Sequence, residues 1–226
     1  MVLIGDSLTE FGNQAHGWGA TIAEVYSRRM DVMFRGFSGY NSHWLKLALP
    51  GLLRGLGFGR QSPSHGDYLF TLLIGTNDSR NASTPQHVPL ETYRKNVKEI
   101  VSILHAGVAN TRILLLTPPP SAALVTRHPF YFRTLRAYRD ACLDAIAEMH
   151  AEEAWFATQV AVLDLWELFV PGGEFDEDAF DPEAVLGRFF HAEDKLHFSL
   201  EGHAFVAKSI LAVIAKEWPE YAVDQL

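Results

Sequence analysis

The sequence is poor in cysteine, with Cys142 as the only one among 226 residues. A single thiol cannot form a disulfide within the chain, which fits a protein of a reducing compartment. Cys142 lies among the apolar residues of a predicted helix, where a buried structural thiol is more common than a nucleophile. We therefore expect Cys142 to belong to the core and to have no chemical role.

Long apolar runs are also missing. No run approaches the roughly 18 residues that a membrane span needs, and no signal peptide, with its basic and then apolar segments, precedes Gly5. We therefore predict a soluble, cytoplasmic protein with no membrane span. The first predicted strand lies at the very start of the sequence, which is consistent with missing upstream residues.

Positive charge is in short supply. The chain has 19 Lys and Arg against 27 Asp and Glu, a formal net charge of −8, which repels nucleic acids and anionic membranes. No glycine-rich nucleotide motif follows a predicted strand. The acidic run from Glu174 to Glu183 lacks the spacing of an EF-hand loop, so we interpret it as solvated. We expect neither a metal, nor a cofactor, nor a nucleic-acid partner.

Short β-type runs alternate with helical patterns along the chain, and we expect one domain over residues 1–226. The predicted strands are 2–4, 31–35, 68–74, 112–116 and 160–165, and the predicted helices are 20–29, 44–56, 90–105, 130–153 and 200–218. Such alternation forms βαβ units around a parallel sheet. We predict a three-layer α/β/α fold with a five-stranded parallel sheet, in the flavodoxin-like order 2-1-3-4-5. Residues 171–193 are predicted to form a long acidic loop.

Four loops that follow predicted strands carry polar or glycine residues: 5–7, 36–39, 75–78 and 117–120. In open α/β sheets, ligands bind beyond the carboxyl ends of the strands, so these loops should gather at one edge.

Ser7, in the first of these loops, fits two interpretations. The spacing from Ser7 to Glu10 is that of a capping box, in which the serine satisfies the helix terminus. A strand-to-helix turn also exposes a nucleophile beside free backbone N–H groups.

A nucleophilic serine needs a base and a group that orients the base. Asp194 and His197 supply both within one short loop, because a carboxylate three residues before an imidazole can turn back onto its Nδ1–H. A surface turn ahead of a helix is the alternative. His191 and His203 are close by, and spacing alone does not choose among the histidines.

Two further residues are suited to an oxyanion hole. Asn77 follows a buried strand and can donate its amide N–H, and Gly39 can offer a backbone N–H from the neighbouring loop. Each is also a common turn residue. Together with Ser7, Asp194 and His197, they are the parts that an acyl-transfer site requires.

The sequence resembles the SGNH (GDSL) hydrolases, and within them the isoamyl acetate-hydrolysing esterase group. The blocks that carry the resemblance, in chain order, are Gly5-Asp6-Ser7-Leu8-Thr9-Glu10, Arg35-Gly36-Phe37-Ser38-Gly39-Tyr40-Asn41-Ser42, Gly75-Thr76-Asn77-Asp78, Thr117-Pro118-Pro119-Pro120 and Asp194-Lys195-Leu196-His197-Phe198-Ser199. Four or more blocks in this order, over nearly the whole chain, make a chance match improbable. Lys195 departs from the pattern, because close relatives often carry glycine there.

The resemblance implies that Ser7 is the nucleophile of a triad with His197 and Asp194. It also implies an oxyanion hole made by Gly39, Asn77 and the Ser7 backbone N–H. Homodimers occur in the resembled group, so a homodimer stays open.

The expected function is hydrolysis of small, short-chain acyl esters. No lipase-type lid or basic interfacial segment is present, and the bulky residues Trp44, Phe130, Tyr131, Phe132 and Phe198 are expected to wall the pocket. Carbohydrate deacetylase, thioesterase and lysophospholipase activities are alternatives, since substrate choice depends on the pocket. A non-catalytic flavodoxin-like binding module is a further alternative, with the loop at Ser7 holding an anion.

Overall fold

The computed structural model describes residues 1–58, 67–121, 129–170 and 182–226, of which residues 129–132 and 182–183 are described by their backbone only. Five strands form one parallel sheet in the order β2-β1-β3-β4-β5, which confirms the predicted fold class. The strands are β1 (Val2–Gly5), β2 (Met33–Gly36), β3 (Tyr68–Leu73), β4 (Thr111–Leu116) and β5 (Val160–Leu163). In none of the described ranges is a helix long and apolar enough to cross a membrane.

The helices connect and cover the strands. They are α1 (Ser7–Glu10), α2 (Trp18–Val25), α3 (Ser42–Gly55), α4 (Leu90–Gly107), α5 (Pro129–Glu152), α6 (Phe156–Gln159), α7 (Leu165–Phe169), α8 (Pro182–Leu186) and α9 (Leu200–Glu217), with 3₁₀ turns at Phe11–Asn13 and Pro219–Tyr221. The main helices lie where the periodicity predicts them, with ends that differ by a few residues.

The strand bounds differ from the predicted ones by up to two residues, and β2 begins at Met33 and not at residue 31. The fifth strand ends at Leu163 and not at Leu165, because the Asp164 carboxylate accepts the backbone N–H groups of Trp166 and Glu167 and so starts α7. The predicted loop 171–193 is interrupted by α8, and Phe190 forms an isolated antiparallel bridge with Phe198. The acidic residues before position 182 lie outside the described residues.

The core is divided by the sheet into two apolar clusters, as strand geometry requires, because successive side chains point to opposite faces. Leu3 packs with residues of α2 and α9, whereas its neighbours Val2 and Ile4 pack with residues of α3 and α4. Cys142 is buried in the second cluster, as predicted, and burial raises the pKa of its thiol to about 12. A thiol with this pKa stays protonated at neutral pH.

The sheet edge is aligned so that the loop residues meet. In the register of the sheet, Gly5 is paired with Gly36 of β2 and with Leu73 of β3, so these strands end level with one another. A Cβ atom on Gly36 would lie 2.1 Å from the backbone nitrogen of Glu10. Helix α1 therefore rests directly on the backbone of β2, which brings Ser7 close to the loop that follows Gly36.

Candidate active site

Ser7, His197 and Asp194 form a continuous hydrogen-bonded chain at the carboxyl edge of the sheet. His197 Nε2 lies 2.9 Å from Ser7 Oγ, and His197 Nδ1 lies 2.8 Å from Asp194 Oδ2. Ser7 opens α1, while the other two lie in the loop before α9. The structure thus brings together side chains that are 190 positions apart in the sequence.

Asp194 is held in place by the backbone of its own loop. Its Oδ1 accepts the N–H groups of Leu196 at 2.9 Å and of His197 at 3.0 Å. Burial raises the pKa of the Asp194 carboxyl, but the hydrogen bonds from the His197 ring and from these two N–H groups outweigh burial and leave the pKa below its usual value. An ionised Asp194 accepts the Nδ1–H of His197, so Nε2 faces Ser7 as an acceptor.

The capping-box interpretation of Ser7 is wrong. The cap of α1 is Asp6, whose Oδ1 accepts the backbone N–H of Leu8 at 2.9 Å. Glu10 does not reach back to the helix terminus either, because its Oε2 accepts the backbone N–H of Ser38 at 2.6 Å. The Ser7 hydroxyl is therefore left for His197, and Glu10 joins α1 to the loop that carries Gly39.

The two other nearby histidines have different surroundings. His203 is 6% exposed, and its Nδ1 accepts the backbone N–H of Trp18 at 3.3 Å. Burial, together with the charges of His191 and His197, lowers the pKa of His203 to about 4. The His191 backbone N–H donates to the carbonyl of His197 at 2.8 Å, so that residue supports the loop through its main chain.

Lys195, which departs from the pattern of the resembled group, has a left-handed backbone with φ of +55°. Glycine adopts this conformation without strain, whereas a residue with a Cβ does not. Ser121 Oγ donates to the Lys195 carbonyl at 3.1 Å and so ties the turn to the loop after β4. The turn between Asp194 and His197 thus holds a non-glycine residue in the left-handed region and is anchored through its carbonyl.

Asn77 and Gly39 lie on adjacent loops that are fastened to each other. The Asn77 side chain is 6% exposed, and its Nδ2 donates to the carbonyl of Tyr40 at 2.9 Å. Gly39 has a left-handed φ of +78°, and Gly75 has a φ of +131° with the Tyr93 hydroxyl only 2.7 Å from where a Cβ would lie. Both loops thus depend on glycine, and the Asn77 amide is fixed in orientation.

A buried polar network behind these loops was not anticipated from the sequence. The backbone N–H of Ser42 donates to both carboxylate oxygens of Asp78 at 3.0 Å, and its hydroxyl also donates to Asp78 Oδ1. Asn96 Nδ2 donates to Ser42 Oγ at 2.9 Å, and Lys46 Nζ donates to Asn96 Oδ1 at 2.6 Å. Asp78, the residue that follows Asn77, therefore fixes the start of α3.

Of the five bulky residues expected to wall the pocket, the structure describes the side chains of two. Phe198 lines a cavity of about 270 Å³ next to His197, and Trp44 is half-buried on α3. The side chains of Phe130, Tyr131 and Phe132 lie outside the described residues. Within the described ranges, no group of three or more His, Cys, Asp or Glu side chains is arranged to hold a metal ion.

The fold and this site define the class of protein. A parallel α/β/α sheet with a Ser–His–Asp hydrogen-bonded chain at its carboxyl edge is the arrangement of an α/β serine hydrolase. The GDSL-like Lipase/Acylhydrolase family matches residues 3–205 of the sequence. The chain belongs to this family and is an ester hydrolase of the GDSL type, which rejects the alternative of a non-catalytic binding module.

Curated relatives show which group within the family the chain is similar to. The isoamyl acetate-hydrolyzing esterase 1 homolog of Bos taurus is 34% identical over 227 residues, which are 96% of this chain and 82% of the relative. The Homo sapiens homolog of the same name is 31% identical over 223 residues, with the same two coverages of 96% and 82%. The predicted similarity to the isoamyl acetate-hydrolysing group is confirmed.

Solved structures support the fold. LAE5, an alpha/beta hydrolase enzyme from the metagenome of Lake Arreo, Spain, has a TM-score of 0.67 at 22% identity and covers 100% of this chain and 94% of its own. The acetyl xylan esterase AlAXEase has a TM-score of 0.69 at 16% identity and covers 94% of this chain and 98% of its own. At these identities the likeness concerns the fold.

Asp6 provides a test of how the site affects stability. Burial, and then the charge of Asp78, raise the pKa of Asp6 to about 7, although the Leu8 N–H opposes them. An aspartate with a folded pKa above its unfolded value of about 3.9 destabilises the fold as it ionises, so the penalty is absent below about pH 4 and complete above about pH 7.

We predict that Asp6→Asn raises the free energy of unfolding more at pH 8 than at pH 5, by on the order of 1 kcal/mol or more. The amide oxygen of the asparagine can still cap α1. Urea unfolding at both pH values measures this difference, and the matched control is Asp144→Asn at an exposed position of α5. Because other groups titrate in the same range, the readout is the change caused by each substitution. Equal changes at the two pH values would contradict the prediction.

Proposed function

We propose that the protein hydrolyses small, short-chain acyl esters, with Ser7 as the nucleophile, His197 as the general base and acid, and Asp194 as the residue that orients His197. The observation that carries this proposal is the chain of two hydrogen bonds, 2.9 Å from His197 Nε2 to Ser7 Oγ and 2.8 Å from His197 Nδ1 to Asp194 Oδ2. These distances fit direct proton transfer between serine and imidazole.

The reaction proceeds in two halves. Ser7 Oγ attacks the ester carbonyl while its proton passes to His197 Nε2. The tetrahedral intermediate then collapses, the bond to the alcohol breaks, and Nε2 returns the proton to the leaving oxygen. Water, deprotonated by the same nitrogen, attacks the acyl-Ser7 ester and releases the carboxylic acid and free Ser7. The imidazolium formed in each half is stabilised by the Asp194 carboxylate.

The developing oxyanion is assigned to the backbone N–H groups of Ser7 and Gly39 and to the Asn77 amide. An amide nitrogen carries two hydrogens, and Asn77 uses one for the Tyr40 carbonyl, so the second can donate to substrate. A donor held by this bond needs no reorganisation during the reaction, which is the property that makes oxyanion holes effective.

Three observations bear on the substrate class. The relatives named isoamyl acetate-hydrolyzing esterase 1 homologs suggest a short acyl group on a small alcohol. The structural neighbour named an acetyl xylan esterase makes deacetylation of carbohydrate the second candidate, with the same acyl group and a different alcohol. The formal charge of −8 disfavours an anionic substrate. A cytoplasmic location and a homodimer remain part of the proposal.

We predict that Ser7→Ala folds normally and loses essentially all esterase activity, by about 10⁶ in kcat as for other triad nucleophiles. Hydrolysis of p-nitrophenyl acetate and the unfolding midpoint measure the two effects. Ser102→Ala, at an exposed position of α4, is the matched control and should keep full activity. Because Asp6 and not Ser7 caps α1, stability should change little. Substantial turnover by Ser7→Ala would reject the assigned nucleophile.

We predict that Asn77→Ala lowers kcat by about 10²–10³ with a smaller change in KM, because the amide acts mainly on the oxyanion of the transition state. Asn77→Asp keeps the shape but replaces the donor by acceptor oxygens, so it should be at least as damaging. Steady-state kinetics on one acetate ester distinguishes the two parameters. A change confined to KM would assign Asn77 to substrate binding.

The acyl preference is tested with a series of p-nitrophenyl esters from acetate to palmitate, below micelle-forming concentrations. Each methylene that fits the acyl site adds about 0.8 kcal/mol of burial, and one that does not fit costs packing strain. We predict that kcat/KM rises over the first few carbons and then falls, with a maximum at about six carbons or fewer. A maximum at ten carbons or more would favour a lipase or thioesterase, independently of the triad.

A further inference from the structure

A cavity of about 270 Å³ adjoins His197, and the mechanism proposed above gives this space no role. It lies between the 3₁₀ turn after α1 and the loop that leads into α9. Its lining is Phe11, Gln14, Ala15, His191, Glu193, Asp194, His197, Phe198, Leu200 and His203. The Phe11 ring meets the His197 ring edge-on, with centroids 4.5 Å apart, so one wall of the cavity is fixed to the imidazole.

The position of the cavity suits the alcohol part of an ester. The leaving oxygen takes its proton from His197 Nε2 and must therefore lie within hydrogen-bond distance of that atom. In the proposed mechanism the carbonyl oxygen is bound by Asn77 and Gly39, which do not line this cavity. The alcohol is released beside His197, which does line it.

His203 gives the cavity a specific hydrogen-bond donor. Its Nδ1 accepts the Trp18 N–H, so a neutral His203 carries its hydrogen on Nε2. The side chain is 94% buried, lines the cavity and has a pKa of about 4, so it is neutral at the pH of catalysis. None of the residues that the structure describes accepts the Nε2–H.

The rest of the lining limits what the alcohol can be. The carboxylates of Glu193 and Asp194 repel an anionic group, which argues against phosphorylated or carboxylated alcohols. Phe11, Phe198 and the 66% exposed Leu200 offer apolar contact for a short carbon chain. A small alcohol without negative charge, with apolar carbons and one further oxygen, fits both features.

We propose that this cavity binds the alcohol part of the ester, and that His203 Nε2–H donates to a second oxygen on that alcohol. The preferred alcohols are then small uncharged diols, polyols or their ethers, attached to a short acyl group. The inference rests on the proposed function, since it needs Ser7 and His197 to react with the ester. It assigns His203 as a specificity-determining residue that takes no part in proton transfer.

The test compares two acetates of nearly equal size, 2-hydroxyethyl acetate and propyl acetate, which differ by a hydroxyl in place of a methyl group. We expect the ratio of their kcat/KM values to fall about threefold to tenfold in His203→Phe, which removes a neutral donor. His203→Gln, whose amide can accept from Trp18 and donate into the cavity, should restore part of the ratio. A ratio measured within one variant is insensitive to partial loss of folded protein.

A second variant tests the position of the cavity without changing His203. Ala15→Leu adds bulk at an exposed residue of the lining, and Ala151→Leu adds the same bulk at an exposed position of α5 as the matched control. We expect Ala15→Leu to lower kcat/KM for isoamyl acetate at least fivefold more than for methyl acetate. The control should leave both unchanged.

The outcomes separate this inference from the proposed function. An unchanged hydroxyethyl-to-propyl ratio in His203→Phe, or equal losses for methyl and isoamyl acetate in Ala15→Leu, would overturn the inference while esterase activity persists. Activity that survives Ser7→Ala would instead overturn the proposed function. Both expected results together would assign the cavity to the leaving alcohol.

Discussion

The site depends on the hydrogen bond from the Leu8 backbone N–H to the buried Asp6 carboxylate. A helix that begins directly after a strand needs an acceptor for its first N–H groups, and a serine at that point would normally be consumed as the cap. Asp6 fills this need from one position earlier. The Ser7 hydroxyl is therefore available to His197, and an ordinary strand-to-helix turn becomes a place for a nucleophile.

The remaining parts are fixed relative to Ser7 by hydrogen bonds between loops. Glu10 holds the Ser38 N–H, and the Tyr40 carbonyl holds the Asn77 amide, so the two loops next to α1 cannot separate without breaking charged or buried contacts. Asp78 adds a third connection, because its carboxylate accepts the backbone N–H of Ser42 at the start of α3. Pre-organisation of this kind is what an oxyanion site requires, since donors that must first move contribute less to the transition state.

The fold could be predicted because strand and helix periodicities are local, and the loops that meet at the sheet edge follow from the strand order. The pairing of Asp194 with His197 was equally accessible, being a contact over three residues. The capping role of Asp6 was missed because Ser7 offered a competing local pattern. The Ser42 contact to Asp78 joins residues 36 positions apart, which no local pattern encodes.

The proposed nucleophile, Ser7, and its proposed base, His197, lie 190 positions apart in the sequence. Closing so long a loop carries an entropic cost during folding. A chain emerging from the ribosome holds Ser7 without its base until the loop before α9 has been made and docked. Under the proposed mechanism, reactivity towards esters therefore requires that the loop before α9 has folded against α1.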